Sequence, residues 1–204
     1  VFGDWSSDVC SSDLKKWIFC SMNDRIRKIV VTGVLGAISA FLGITHWGFI
    51  PWIAGASLTI MHVPVIIGAV LEGPVVGALI GLIFGVFSLI QAAVAPSGPT
   101  DVWFTNPLLS VLPRLFIGPA SWLVWNALKK SPAAGLVLSG ITGSLVNTGL
   151  VLGMIGVLGL VPWQALPAIA LANGLPEAAA SAILVLLVVA AVRQIRIGRG
   201  KSRL

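Results

Sequence analysis

Residues 75–94 read VVGALIGLIFGVFSLIQAAV, a run of twenty residues without a charged side chain. An α-helix rises about 1.5 Å per residue, so a run of this length crosses the roughly 30 Å hydrocarbon core of a bilayer. The preceding Glu72-Gly73-Pro74 predicts a tight turn, because Gly and Pro both interrupt regular structure. This stretch therefore predicts a transmembrane helix that begins just after a turn.

Five further apolar runs surround this one. They cover residues 29–44, 54–71, 107–128, 133–160 and 166–192. Of the 204 residues, 57% are hydrophobic and 10% are charged, whereas a soluble domain carries about 25% charged residues to face water. The sequence therefore predicts an all-α, polytopic membrane protein with six transmembrane helices in a compact bundle.

The distribution of basic residues predicts the topology. Lys and Arg collect before the first span, between the fourth and fifth spans and after the sixth, and the loops after spans one, three and five contain none. Cytoplasmic loops carry the Lys and Arg excess, so we expect a plasma-membrane protein with both termini in the cytoplasm. The net charge of +6 does not indicate nucleic-acid binding, since no basic face with interleaved aromatic residues is present.

The two ends of the chain differ from the apolar middle. Residues 1–14 read VFGDWSSDVCSSDL, repeat Ser-Ser-Asp, and lack the basic and apolar regions of a signal peptide. We expect residues 1–21 to be a non-native or disordered segment, 22–197 to form the six-helix domain, and 198–204 to be a basic cytoplasmic tail. Cys10 and Cys20 have neither metal-site nor disulfide-framework spacing, and no cofactor is expected.

Two charged residues lie inside predicted spans. Arg114 and Glu177 fall about 10 and 16 Å below the outer surface, if each helix rises 1.5 Å per residue. A charge near the bilayer centre costs at least about 2.5–3.5 kcal/mol, so such residues either pair with each other or line a cavity. Both alternatives are open from the sequence.

Other polar residues fall at similar depths or in the outer loop. Within the spans they are His62, Asn147, Thr148 and Asn173. In the loop at residues 95–106 they are Trp103 and Asn106, the latter directly before the fourth span. Together with the two charges they predict a pocket open to the outside, with the loop closing over it and Trp103 or Phe104 as a lid. The alternative is a set of interhelical hydrogen bonds without a ligand, and for His62 both readings stay open.

The first span carries small residues four positions apart. Gly33 pairs with Ala37 in this spacing, and Gly36 pairs with Ala40. Small side chains let a second helix approach closely. The sequence leaves open whether that second helix belongs to a partner protein or to the same bundle.

Several segments together resemble the substrate-binding S component of energy-coupling factor (ECF) vitamin transporters, over about residues 25 to 192. The matching segments are HVPVIIGA at 62–69, GPVVGALIG at 73–81, NPLLSVLPR at 106–114, GSLVNT at 143–148 and NGLPE at 173–177. The resemblance implies a six-helix protein that binds a water-soluble vitamin at its outer face. The segments around Pro113-Arg114 and Asn147-Thr148 favour pantothenate, and riboflavin and folate stay open. Arg114 is then the candidate partner of a substrate carboxylate, because Arg offers a planar fork of donors.

The resemblance also implies partner proteins. These are a transmembrane coupling subunit, docked on the small-residue face at Gly33 and Ala37, and two cytoplasmic ATPases. The chain has no phosphate-binding loop of the form GxxxxGK[ST], so we expect no enzymatic activity here and ATP hydrolysis in the partners. A stand-alone secondary permease and a purely structural membrane protein are the alternatives, although no internal repeat supports the permease.

Overall fold

The computed structural model describes residues 24–45, 49–51, 57–96 and 101–193, and seven α-helices lie in these ranges. The helices are α1 (Asp24–Ile44), α2 (Val63–Glu72), α3 (Pro74–Val94), α4 (Pro107–Ser110), α5 (Leu112–Ala127), α6 (Pro132–Val157) and α7 (Leu166–Arg193). A short antiparallel hairpin of β1 (Phe49–Pro51) and β2 (Ser57–Thr59) lies between α1 and α2, and a 3-10 helix spans Asp101–Thr105. The predicted segments 1–21 and 198–204 lie outside the described residues.

The predicted membrane class is confirmed. Within the described ranges, α1, α3, α6, α7 and the segment of α4 with α5 are long and apolar enough to cross a membrane. The sixth apolar helix, α2, has only ten residues, or about 15 Å of helix. The chain is thus a polytopic all-α protein whose second helical segment is short.

The predicted start of the second span at residue 54 is wrong. Residues 57–59 form a strand that pairs with residues 49–51, and the helix begins only at Val63. Pro64 explains this start, because its ring would clash with the carbonyl four residues earlier if the helix continued upstream. That carbonyl, on Ile60, instead accepts a hydrogen bond from the Val63 N–H at 3.1 Å.

Proline marks the first turn of most helices in this chain. A proline occupies the first or second helical position in α2, α3, α4, α5 and α6. At these positions its missing N–H costs no intrahelical hydrogen bond. Pro113 divides the predicted fourth span, so that α4 ends at Ser110 and α5 begins at Leu112. Pro176, by contrast, lies inside α7 without ending it.

The short helix α2 forms the centre of the bundle. Every residue from Val63 to Val70 is buried, and α2 packs against α1, α3, α5, α6 and α7. A helix that is apolar on all sides is stable only when it is surrounded. The side chains of this core include Val65, Ile66, Ile80, Ile117, Leu136, Val185 and Val189.

Contacts of two arginines join the helices at one end of the bundle, which we call the basic end. Arg27 Nη2 lies 3.0 Å from Glu72 Oε2 and ties α1 to the end of α2. Arg193 Nη2 donates to the Val70 carbonyl at 2.8 Å, and its guanidinium lies 5.2 Å from the centroid of the Trp125 ring. These contacts join α1, α2, α5 and α7 at the basic end.

Gly118 is expected to be essential to the contact of α5 with α3. A Cβ atom at Gly118 would lie 2.5 Å from the Gly77 carbonyl carbon and 2.7 Å from its Cα, and backbone atoms cannot turn aside as a side chain can. Overpacking of this kind typically costs about 1–3 kcal/mol, so Gly118→Ala should lower the free energy of unfolding by that amount. The measurement is unfolding of the purified protein in detergent.

The matched control for this substitution is Gly149→Ala. Among the described residues, only the backbone of α6 itself lies near a Cβ placed at Gly149, with nothing else within 4 Å. This variant should therefore unfold like the parent or at a slightly higher temperature. Equal stability of the two variants would contradict the close packing of α3 on α5.

Candidate functional site

A cavity of about 190 Å³ lies at the end of the bundle opposite the basic end. Its walls come from the second half of α3, the start of α5, the second half of α6 and the first half of α7, with β2 and the 3-10 helix beside them. The lining residues are Thr59, Met61, Phe84, Ser88, Gln91, Ala92, Asp101, Phe104, Arg114, Asn147, Thr148, Val151, Leu152, Ile169, Asn173 and Glu177.

Arg114 owes its position to the proline that precedes it. Pro113 has no N–H, so the carbonyl of Leu109, four residues earlier, has no backbone donor in the helix. Arg114 Nη1 donates to that carbonyl at 2.5 Å. The Arg114 side chain is buried with only 6% of the residue exposed, and its Nε has no hydrogen-bond partner among the described residues.

Glu177 brings the second charge to the cavity and is also buried. Its Oε1 accepts from the Thr59 N–H at 2.8 Å and from the Thr59 hydroxyl, and its Oε2 accepts from the Thr148 hydroxyl at 3.1 Å. The carboxylate therefore joins β2, α6 and α7 around the cavity. Hydrogen bonds of this kind lower the cost of burying a charge.

The two buried charges do not form an ion pair with each other. The ion pairs found between described residues are those of Arg27 with Asp24 and Glu72. Of the two alternatives that the sequence left open for Arg114 and Glu177, the structure thus has both side chains facing one cavity. A buried guanidinium that forms no ion pair within the described part of the chain is suited to an anionic group of a ligand.

The structure brings five of the eight predicted site residues together. Asn147, Thr148 and Asn173 line the cavity with Arg114 and Glu177. Asn147 Oδ1 is buried and accepts no hydrogen bond from any residue that the structure describes. Because buried polar atoms are normally paired, this oxygen is available to a donor on a bound molecule.

The other three predicted residues lie outside the cavity lining. His62 precedes α2 in the core, with its Nε2 at 2.8 Å from Ser181 Oγ. Trp103 packs with Phe104 against a small apolar cluster that contains Leu109. Asn106 caps α4 by accepting from the Leu108 N–H at 3.0 Å. Direct contact of these three residues with a substrate stays a prediction.

Some lining residues are absent from the sequence-based prediction. Phe84, Ser88 and Gln91 follow one another at helical spacing on α3, a pattern that places them on one face and that could have indicated them. Thr59 and Met61 carried no such signal, because residues 54–71 were predicted to be one helix.

The small residues of α1 point in two directions. Gly33 and Ala37 are exposed, and apart from the backbone of α1 itself no described atom lies within 4 Å of a Cβ placed at Gly33. Gly36 is buried against α3, where a Cβ would meet Ile83 Cδ1 at 2.9 Å, and Ala40 is half-buried. Gly36 thus serves packing within the bundle, whereas Gly33 and Ala37 leave an open face.

Comparisons with known proteins agree with this architecture. The chain is 30% identical over 135 residues to a pantothenate transporter of Leuconostoc mesenteroides, covering 62% of this chain and 66% of that protein, which is just under two thirds of its length. It is 29% identical over 157 residues to a pantothenic acid transporter of Lactococcus lactis, covering 68% of this chain and 79% of that protein. The family model for the substrate-specific component of ECF transporters matches residues 27–190, and the chain therefore belongs to this family.

Proposed function

We propose that this chain is the membrane-embedded subunit that captures pantothenate for an ECF-type importer. The observation that carries the proposal is the buried guanidinium of Arg114, which faces a cavity lined by polar and apolar side chains and forms no ion pair with a carboxylate of the described residues. Pantothenate has one carboxylate, and the two relatives described above bear its name. The captured vitamin would be taken up by transport driven by ATP.

The cavity chemistry fits the remaining groups of pantothenate. Its hydroxyl and amide groups need both donors and acceptors, and the cavity offers the side chains of Asn147, Thr148, Asn173 and Glu177. The cavity volume of about 190 Å³ lies below the roughly 300–1,000 Å³ of pockets for drug-sized ligands. This size favours pantothenate over the bulkier ring systems of riboflavin and folate.

The orientation of the chain follows from its charges. Six basic residues lie at or near the basic end, namely Arg25, Arg27, Lys28, Lys129, Lys130 and Arg193. Positively charged residues favour the cytoplasmic side of a membrane. This orientation in the plasma membrane directs the cavity to the outside and both termini to the cytoplasm. The vitamin would then enter from the side on which it is scarce.

Energy for release would come from partner subunits. The exposed face at Gly33 and Ala37 has the small side chains that a helix of a transmembrane coupling subunit needs for close approach. The chain lacks a phosphate-binding loop of the form GxxxxGK[ST], so two cytoplasmic ATPases would hydrolyse ATP and act through the coupling subunit.

Ligand titration of the purified full chain tests the proposal. The protein is first analysed by mass spectrometry for a co-purified vitamin and is then titrated with pantothenate, riboflavin and folate by Trp fluorescence. We expect saturable binding of pantothenate alone. Tighter binding of riboflavin or folate would overturn the assignment of pantothenate as the substrate. Absence of binding to all three vitamins would overturn the proposal that this chain captures one of them.

A further inference from the structure

Two aromatic rings hold the guanidinium of Arg114 at the cavity. The guanidinium carbon lies 5.4 Å from the centroid of the Phe84 ring and 4.9 Å from that of Phe104. Phe84 belongs to α3 and Phe104 to the 3-10 helix, and both line the cavity. The cation is thus contacted by two elements other than its own helix.

The rings attract the cation without neutralising it. The negative face of an aromatic ring stabilises a cation electrostatically, most strongly where water is excluded. A carboxylate in the same place would instead form an ion pair and occupy the donors of the guanidinium. Two phenyl rings therefore make a buried Arg114 tolerable and leave its full charge for a ligand.

The two rings also restrict the rotamers that the Arg114 side chain can adopt. An Arg side chain has many rotamers, and fixing one of them on ligand binding lowers affinity. Here Nη1 already donates to the Leu109 carbonyl, and Nε has no hydrogen-bond partner in the described ranges. The side chain is pre-organised before a ligand arrives, with donors still unused.

We infer that Phe84 and Phe104 are specificity-determining positioning residues, whose rings hold Arg114 ready for a substrate carboxylate. The site then prefers an acid over the corresponding neutral alcohol. This inference rests on the proposed function, because it requires that the carboxylate of the vitamin binds at Arg114. Because Phe104 belongs to the 3-10 helix, the position of that helix also determines how the Arg114 guanidinium is held.

The test compares two ligands in several variants of the full chain. Pantothenate and pantothenol, in which a hydroxymethyl group replaces the carboxyl group, are titrated into Phe84→Leu and Phe104→Leu. We expect each variant to weaken pantothenate binding about tenfold more than it weakens pantothenol binding. The dissociation constant of pantothenol divided by that of pantothenate should therefore fall by the same factor.

Two further variants separate ring chemistry from packing. Phe104→Tyr keeps an aromatic ring and should keep the parent ratio. Phe116→Leu is the matched control, because Phe116 lies on α5 outside the cavity with 49% of its surface exposed, and it should also keep the parent ratio.

Failure of the inference is distinguishable from failure of the proposed function. If the parent protein binds pantothenate tightly but Phe84→Leu and Phe104→Leu weaken both ligands equally, the rings contribute only packing and the inference is overturned. The same holds if neither ligand is affected. If the parent itself does not bind pantothenate, the proposed function fails first.

Discussion

Replacement of Arg114 by Gln is expected to weaken pantothenate binding by a factor of about 30 to several thousand. Truncating one partner of a buried, hydrogen-bonded charge pair costs about 2–5 kcal/mol, and each 1.4 kcal/mol is a factor of ten in affinity. The loss should be large because the described part of the chain places no second basic residue in the cavity lining that could replace the guanidinium. The measurement is titration with pantothenate by Trp fluorescence.

Arg193→Gln provides the matched control for this substitution. It removes the same guanidinium from the basic end, where Arg193 bonds to carbonyls of α2 rather than to the cavity. Pantothenate affinity should therefore stay at the parent value. Unchanged affinity in Arg114→Gln would show that the carboxylate binds elsewhere, and a joint loss in both variants would point to a general effect on folding.

A bulky side chain at Gly33 is expected to stop transport while leaving vitamin binding intact. Gly33 is exposed, no atom of the described chain apart from the backbone of its own helix lies within 4 Å of its would-be Cβ, and it is not among the residues that line the cavity. Gly33→Leu should therefore fold and bind pantothenate normally. It should lower ATP-dependent uptake by about tenfold or more, since a Leu side chain prevents the close helix approach that small residues allow.

The measurement uses proteoliposomes that contain the chain with its coupling subunit and ATPases, with radiolabelled pantothenate outside. Gly149→Leu is the control, because Gly149 is equally open but lies on α6. It should keep both binding and uptake. Full uptake by Gly33→Leu would exclude this face as the docking site, and uptake without the partner subunits would favour a stand-alone permease.

The membrane class and the approximate positions of the helices could be predicted from the sequence. Apolar length is a local property, and a bilayer requires it of any spanning helix. The runs at 75–94 and 166–192 match α3 and α7 within one residue at each end. Charged residues inside such runs are costly, which is why Arg114 and Glu177 were recognisable as candidates for a site.

The start of the second helical segment could not be predicted from the sequence. Hydropathy averaged over residues 54–71 does not distinguish α2 from the strand and turn that precede it, because the few polar residues of β2 (Ser57–Thr59) lie within a mostly apolar run. The effect of Pro64 on the preceding turn sets the helix start. The consequence reaches the site, since Thr59 and Met61 line the cavity only because they lie outside the helix.

The sequence by itself determined that this chain is a bundle of membrane helices with two buried charges and a face of small residues. Only the tertiary structure decided that Glu177 meets Thr59, 118 residues away, and that Gly33 is open whereas Gly36 is packed. The reason is physical. Helices such as α6 and α7 are apolar on nearly all sides, so no hydrophobic stripe marks the face that turns inward, and packing between helices alone sets their rotation.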